Sequence, residues 1–425
     1  DITVPNTVTL TIESGVEVRF TPLTDDLSSG EDVNRIELII EGILRVKGAQ
    51  SDTVTFMSNG QVPASGDWYG IVSTGNTGKV LMDYASINNY TNGIRIKGGT
   101  WSNELNNSDT ISVSHTKFYG GGSAISSSNA SSYRPIYFTY NKLVDCGLED
   151  KSSTSVKHYN NNTVTSASTY KTFQIEGFRD GSNSKGSLSI NNNTFEKGHI
   201  YVLYPEFYNQ GADIEINNNI LGRGSYGIRV YYLYNNVARD DVSIEIKNNQ
   251  IIGSGSSSGY GAYLYGSGDY GFKASVESNT IKAIGRGVYV TADKSTSVQL
   301  ESNTIDSTYY QGIYLNKASG RIESNTITKC GRYSYFGVEI TSDFNYPAID
   351  TIQYNTITGN GYWQNPTNTS TTGGWGGIKI DGYTQAKINY NNIYDNGAYE
   401  VVNNVAASAV TEQDAKFNYW GTYNN

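Results

Sequence analysis

The clearest repeat in this chain reads Val276-Glu277-Ser278-Asn279-Thr280-Ile281, and it returns as Leu300-Glu301-Ser302-Asn303-Thr304-Ile305 and Ile322-Glu323-Ser324-Asn325-Thr326-Ile327. Its shared features are an apolar residue, two others, an asparagine, one residue and a second apolar residue. Weaker copies extend the same asparagine position to Asn141, Asn162, Asn193, Asn219, Asn249, Asn355 and Asn391. These asparagines are separated by 21 to 36 residues. Such a period is typical of one coil of a solenoid with loops of variable length.

A second element follows most asparagine copies and has the form Gly, apolar residue, any residue, apolar residue. Its copies are Gly227-Ile228-Arg229-Val230, Gly261-Ala262-Tyr263-Leu264, Gly287-Val288-Tyr289-Val290, Gly312-Ile313-Tyr314-Leu315, Gly337-Val338-Glu339-Ile340 and Gly377-Ile378-Lys379-Ile380. Alternate apolar residues of a strand point to the same face. Two short strands per coil, separated by Gly and Asn turns, therefore predict a parallel β-helix whose apolar residues fill the bore.

The repeated asparagine has two interpretations, a polar ladder that binds a ligand or a structural ladder. In the structural one, each side-chain amide bonds the equivalent asparagine of the neighbouring coils. Asparagine also tolerates the left-handed turn conformation better than most residues. Because the residue recurs at one coil position through most of the chain, we interpret the ladder as part of the scaffold.

Composition excludes several classes of protein. The 425 residues carry a net charge of −9 with a pI near 5.0, so nucleic acid is not an expected partner. No stretch approaches the roughly 20 apolar residues of a membrane-spanning helix. Cys146 and Cys330 form no metal-binding pattern, and we expect two free, buried thiols. The chain opens in a strand-like stretch at Asp1, which suggests a mature product or an excised domain, and we expect a monomer outside the cell or on its surface.

The whole chain resembles the pectate-lyase-like repeat proteins of bacterial surfaces. The resemblance rests on the opening strands, on Trp68-Tyr69-Gly70-Ile71, on the Asn-x-Ile coils and on Asn418-Tyr419-Trp420-Gly421. It implies an all-β, right-handed parallel β-helix with loop insertions. We expect one domain over residues 1–425, with less regular coils in 1–90, regular coils in 91–400 and a C-terminal cap in 401–425. This scaffold hosts lyases, hydrolases, epimerases and binding proteins, so it does not define an activity.

A hydrolase is disfavoured because the motifs of the β-helix enzymes that cleave pectin are incomplete. Arg95-Ile96-Lys97 is present, but no Gly-His-Gly or Asn-Thr-Asp element accompanies it. A polysaccharide lyase needs a base and a group that neutralises a uronate carboxylate. The candidate set for a lyase is Arg229, Glu339, Lys379 and Asp381, for which a solvated salt bridge is the structural alternative. No cofactor is expected, and calcium is the one metal that the lyase hypothesis leaves open.

Tyrosines dominate the predicted outer face. Aligned on the glycine element, the outward positions include Tyr201, Tyr231, Tyr263, Tyr265, Tyr289 and Tyr314. Sugar rings lie with their C–H faces against aromatic rings, and tyrosine adds a hydroxyl. Alternate coils are about 9.6 Å apart, on the scale of a disaccharide. The structural alternative is cross-strand ring stacking, which stabilises sheets.

An insertion near residues 360–376 adds two further candidate binding residues, Trp363 and Trp375, because exposed aromatics on loops of a rigid scaffold usually serve recognition. A β-helix that is rich in aromatics and lacks a catalytic set resembles the tāpirins, which are cellulose-binding adhesins of plant-degrading bacteria. The sequence therefore predicts a non-catalytic extracellular adhesin for insoluble plant polysaccharide, cellulose first. The alternatives are a polysaccharide lyase and a structural surface protein.

Overall fold

The computed structural model describes residues 1–75, 77–98, 110–127, 134–166, 171–332, 335–361, 375–406 and 413–421. These ranges consist of strands and turns, with one 3-10 turn at Arg239–Asp241 as the only helical element among them. They therefore contain no helix with the length and hydropathy that a bilayer crossing requires. The chain divides into two compact units, Asp1–Ala212 and Asp213–Asn425.

Each unit is built from coils that contribute one strand to each of three parallel sheets, which we call sheets A, B and C in chain order. Parallel pairing between successive coils is continuous in each sheet, for example between Glu277 and Glu301 or between Ile281 and Ile305. The expected parallel β-helix is thus confirmed. The expectation of two strands per coil is wrong, because the asparagine motif turns a corner and supplies the end of one strand and a separate short strand.

Among its described residues, the first unit has eight strands in sheet A and seven in each of the others, followed by a short strand β23 (Glu206–Phe207). Sheet A contains β1 (Ile2–Val4), β4 (Glu37–Ile40), β7 (Trp68–Ser73), β10 (Tyr90–Ile96), β13 (Ser123–Ser127), β16 (Gly147–Asp150), β19 (Lys171–Glu176) and β22 (Gly198–Leu203). Sheet B contains β2 (Thr9–Glu13), β5 (Ile43–Lys47), β8 (Lys79–Asp83), β11 (Ile111–Ser114), β14 (Ile136–Thr139), β17 (Val156–Asn160) and β20 (Gly186–Ser189). Sheet C contains β3 (Glu17–Phe20), β6 (Val54–Ser58), β9 (Ala85–Asn88), β12 (Lys117–Tyr119), β15 (Lys142–Val144), β18 (Thr163–Thr165) and β21 (Thr194–Phe195).

In the second unit two strands, β32 (Arg286–Glu301) and β34 (Ile313–Glu323), bend through a corner and belong to sheets A and B in turn. Sheet A also contains β26 (Gly227–Asn235), β29 (Tyr260–Gly268), β36 (Phe336–Ser342), β39 (Gly376–Gly382) and β42 (Tyr399–Val405). Sheet B also contains β24 (Ala212–Asn217), β27 (Val242–Lys247), β30 (Lys273–Glu277), β37 (Ile349–Gln353) and β40 (Gln385–Asn389). Sheet C contains β25 (Ile220–Leu221), β28 (Gln250–Ile252), β31 (Thr280–Lys282), β33 (Thr304–Asp306), β35 (Thr326–Thr328), β38 (Thr356–Thr358) and β41 (Asn392–Tyr394).

The bore is filled by apolar side chains that stack on equivalent residues of the next coil. In sheet C of the second unit, Ile281, Ile305, Ile327 and Ile357 are in register on successive coils, and all are fully buried. Burying one such side chain contributes about 1.5–3 kcal/mol. Repetition of this small increment over many coils holds the solenoid together without disulfide bonds. The two cysteines are buried free thiols, as expected.

The asparagine ladder is confirmed as a structural element at the corner between sheets B and C. Asn303 is typical: its Oδ1 accepts from the backbone N and the Nδ2 of Asn279, both at 3.0 Å. Its own Nδ2 donates to Asn325 Oδ1 at 2.9 Å and to the Val276 carbonyl at 2.7 Å. The side chain is 1 % exposed. Each ladder asparagine therefore satisfies buried backbone groups of its neighbours.

The left-handed conformation at this corner belongs to the residue before the ladder asparagine. Ser278 and Ser302 have φ of 54° and 57°, and Asn248 has 57°. Aromatic residues occupy the same position near the end of the second unit, where Tyr354 and Tyr390 stack with ring centroids 5.5 Å apart. The ladder asparagine is selected for its amide, and the turn conformation is adopted one residue earlier.

Candidate functional site

The outward positions of sheet A in the second unit form one straight column. Strand register places Arg229 beside Tyr263, Tyr263 beside Tyr289, and Tyr289 beside Tyr314. The column continues to Glu339 and Lys379 on β36 and β39. Because neighbouring strands lie about 4.8 Å apart, side chains in this column contact one another directly.

Eight tyrosines meet on this face, and we call them the tyrosine cluster. Ring centroids are 5.1 Å apart for Tyr263 and Tyr289 and 4.5 Å apart for Tyr289 and Tyr314. Tyr265 lies 5.3 Å from Tyr231. Seven of the eight side chains are half-buried, and that of Tyr232 is exposed. The members are Tyr231, Tyr232, Tyr260, Tyr263, Tyr265, Tyr289, Tyr310 and Tyr314.

Ring stacking within the cluster determines which surface is offered outward. The Tyr289 and Tyr314 rings are nearly parallel, at 15°, and Tyr260 lies over Tyr263 at 24°. Stacked rings cover part of one another's faces and leave edges and hydroxyl groups at the surface. The cluster therefore presents a ridged, amphipathic surface, with apolar ring edges and hydrogen-bonding groups side by side.

Two arginines are built into the cluster by cation–π contacts. The Arg229 guanidinium lies 3.8 Å from the ring centroid of Tyr231. The Arg286 guanidinium lies 4.2 Å from that of Tyr310 and 5.5 Å from that of Tyr289. These contacts hold the rings in place and add donors to the surface.

The hydroxyls of Tyr263 and Tyr314 are neutral donors at physiological pH. Burial, reinforced by neighbouring tyrosines, raises the pKa of Tyr263 above its ordinary value. Burial together with Tyr289 and Glu339 does the same for the pKa of Tyr314. A deprotonated tyrosine that could act as a base is therefore disfavoured here.

An ion-pair group adjoins the cluster at Tyr314. Lys379 Nζ lies 3.1 Å from Glu339 Oε1 and 2.8 Å from Asp381 Oδ2, and Gln311 Nε2 donates to Glu339 Oε2 at 2.8 Å. Burial opposes the charge on Lys379, but bonds to Asp381 and Glu339 outweigh it and raise the pKa of this amine. A charged lysine that is paired with two carboxylates cannot act as the base.

The structure does not bring the candidate lyase set together. Arg229 lies on β26 and Glu339 on β36, with three strands of sheet A between them. At about 4.8 Å per strand the separation is roughly 19 Å. Glu339, Lys379 and Asp381 do form one group. Within the described ranges, no three His, Cys, Asp or Glu side chains are arranged to hold a metal ion.

Three predicted binding residues are not among these eight tyrosines. Tyr201 belongs to the first unit, on β22, where its ring stacks on His199 with centroids 4.2 Å apart. Burial lowers the pKa of that histidine to about 4. Trp375 is half-buried, and its Cδ1 occupies the space that a side chain on Gly397 would fill, so it packs on the next coil. Trp363 lies outside the described residues.

Sequence reasoning missed Tyr260 and Arg286 because strict alternation fails at the glycine element, and it also missed Tyr310, which lies two residues before Gly312 with the buried Gln311 between them. Gly261 and Ala262 both point inward, and a Cβ on Gly261 would lie 2.5 Å from Ile281 Cγ2. The residue before the glycine therefore returns to the outer face, three positions from the expected column. Tyr232 was missed for a related reason, since its φ of 55° turns it outward next to Tyr231. The signal available was an aromatic or basic residue before the repeated glycine.

The comparisons with known proteins agree with this architecture. The family model described as the right-handed β-helix region matches residues 180–334 and 237–419, which together cover more than half of the chain. Neither a curated protein nor a solved structure matches it. The chain belongs to the right-handed β-helix family.

Proposed function

We propose that this protein is an extracellular, non-catalytic adhesin that binds insoluble plant polysaccharide, with cellulose as the first candidate. The observation that carries the proposal is the tyrosine cluster, a continuous aromatic surface on consecutive coils of a rigid sheet. An ordered surface of this kind loses little conformational entropy on binding. The resemblance to the tāpirins points to the same ligand.

The geometry suits an extended glycan. Tyr263 and Tyr314 lie two coils apart, about 9.6 Å, with Tyr289 between them. A polymer that runs along the column would meet aromatic edges at each coil and hydroxyl donors whose raised pKa keeps them protonated. Contacts repeated at this spacing add avidity along one chain of the polymer.

The test is a pull-down of purified protein with microcrystalline cellulose, xylan and pectin. Replacing Tyr263, Tyr289 and Tyr314 together by Ala removes three aromatic contacts, each worth about 0.5–1.5 kcal/mol, so affinity should fall roughly ten- to a thousand-fold. In the matched control, Ala replaces Tyr354 and Tyr390, two exposed tyrosines that stack on each other outside the cluster. A folded triple variant that binds cellulose as the wild type does would refute the site.

A second candidate function is a polysaccharide lyase, which is favoured by the position of Glu339 beside Tyr314 and of Lys379 beside Glu339. The bonded state of Lys379 and the remoteness of Arg229 weaken it. The supernatants of the same pull-down distinguish the two functions. Unsaturated, ultraviolet-absorbing products from a uronate polymer would establish the lyase, whereas depletion without sugar release supports the adhesin.

A further inference from the structure

A separate pocket lies in the second unit at the corner between sheets A and B. Its volume is about 460 Å³, within the range of small-ligand sites. It is formed by the loops that follow β26, β29 and β36 and by the bend of β32. None of its lining residues belongs to the tyrosine cluster. They are Ala238, Arg239, Asp240, Asp269, Tyr270, Gly271, Lys294 and Tyr346.

One wall of this corner pocket is Tyr346, which is fixed by a tight turn. Asp343 Oδ1 accepts from the backbone N of Asn345 at 3.1 Å and of Tyr346 at 3.0 Å. Lys317 Nζ, 2.9 Å from Asp343 Oδ2, anchors the turn to the coil below. Lys294 Nζ donates to Tyr346 Oη at 3.0 Å. The ring is therefore held in place without a ligand.

The opposite wall combines an aromatic ring with an ion-pair group. Tyr270 is 51 % exposed, and its backbone N bonds the Asn235 carbonyl at 3.1 Å. Asp240 Oδ1 lies 3.1 Å from both Arg239 Nε and Lys273 Nζ. These bonds lower the pKa of Asp240, so its carboxylate stays charged.

The lining identifies the chemistry of the ligand. Arg239 and Lys294 balance Asp240 and Asp269, so the lining carries no net charge and gives no preference for an anion or a cation. Two tyrosine rings provide apolar contact for C–H faces, and the ionic side chains can bond neighbouring hydroxyls. An uncharged molecule that is apolar on its faces and hydroxylated at its rim matches both features.

We infer that the corner pocket is a second carbohydrate site, which takes one or two sugar units of a neutral glycan. It lies around the corner from the tyrosine cluster, and Asp293, the residue before Lys294, accepts from Tyr265 Oη at 3.3 Å. A chain end or a side branch could thus enter the pocket while the main chain lies on the cluster. The pocket does not need the cluster in order to bind.

The inference is tested by calorimetric titration of the full chain with cellotetraose and xylotetraose. The variants are Tyr270→Ala, Lys294→Gln and the triple alanine variant of the cluster. Phe344→Ala is the matched control, because this ring is 75 % exposed in the same turn as Tyr346 and does not line the pocket. In the background of the triple variant, which should keep one binding event, we expect Tyr270→Ala and Lys294→Gln to weaken that event at least about tenfold and Phe344→Ala to leave it unchanged.

Two results would overturn the site itself. In the first, neither the wild type nor the triple variant binds either tetrasaccharide. The other is binding that the pocket variants leave unchanged while circular dichroism shows them folded. If the triple variant loses cellulose binding but still binds a tetrasaccharide, the cluster is the cellulose site and the pocket binds independently of it. A uronate tetrasaccharide that binds more tightly than the neutral probes would refute the assigned ligand class.

Discussion

Replacing Asn303 by Ala tests whether the asparagine ladder stabilises the solenoid. The change removes four hydrogen bonds: two that Oδ1 accepts from Asn279 and two that Nδ2 donates, to Asn325 and Val276. Asn279 Nδ2 keeps a bond to the Ile246 carbonyl, and Asn325 Oδ1 keeps one from the Asn303 backbone. At about 1 kcal/mol per bond, the loss of the four bonds should cost about 4 kcal/mol, and the Asn279 N–H is left without its acceptor.

Calorimetry measures this loss directly. For a unit of this length, about 4 kcal/mol corresponds to a decrease in Tm of about 8–16 °C. Asn345→Ala is the control, because this asparagine is exposed and only its backbone N is bonded, so its effect should stay within about 0.5 kcal/mol. Hydrogen exchange should accelerate first at the corners that contain Asn279 and Asn303, since coils depend on their nearest neighbours.

A small effect would refute the reasoning. If the Asn303→Ala protein keeps its circular dichroism and melts within about 2 °C of the wild type, water or a shifted backbone satisfies the exposed groups. The apolar columns would then hold the coils together without help from the ladder.

Two further predictions concern buried ionisable groups. Burial raises the pKa of Asp350, whose Oδ1 accepts from Gly320 N at 2.7 Å and whose Oδ2 has no partner among the described residues. Because the folded-state pKa is the higher one, the stability that this proton contributes is complete below about pH 3.8 and is lost as pH rises. The Tm of Asp350→Asn relative to wild type should therefore increase between about pH 4 and pH 7, and a constant difference would contradict this. Burial also raises the pKa of Cys330 to about 11, so this thiol should react with a disulfide reagent near pH 8 only after denaturation, and rapid native labelling would show that the core opens.

The sequence by itself determined the coil, because the coil repeats. The ladder asparagine must recur at one position of each coil, because its amide bonds the amide of the equivalent asparagine in the next coil. The core isoleucine must recur for the same reason, since it stacks on the equivalent isoleucine, as Ile305 does on Ile327. The column from Tyr263 to Tyr314 followed from the same regularity once the glycine elements were aligned. Each of these features depends on contacts between equivalent residues, so periodicity reveals it.

Tertiary structure alone decided the features that break the period. Arg286 and Tyr260 lie at the tyrosine cluster because the next two residues of each strand both point inward, which places the residue before them on the outer face. A strictly alternating pattern does not predict two consecutive inward residues. The corner pocket brings Tyr270 and Tyr346 together from loops of non-adjacent coils, and the lengths of those loops vary freely. Residues that stack in register recur at the same position of every coil, so the sequence shows them. A loop that folds back across two coils is fixed by individual contacts, such as that between Lys294 and Tyr346. Because such a contact occurs once, it produces no repeat in the sequence.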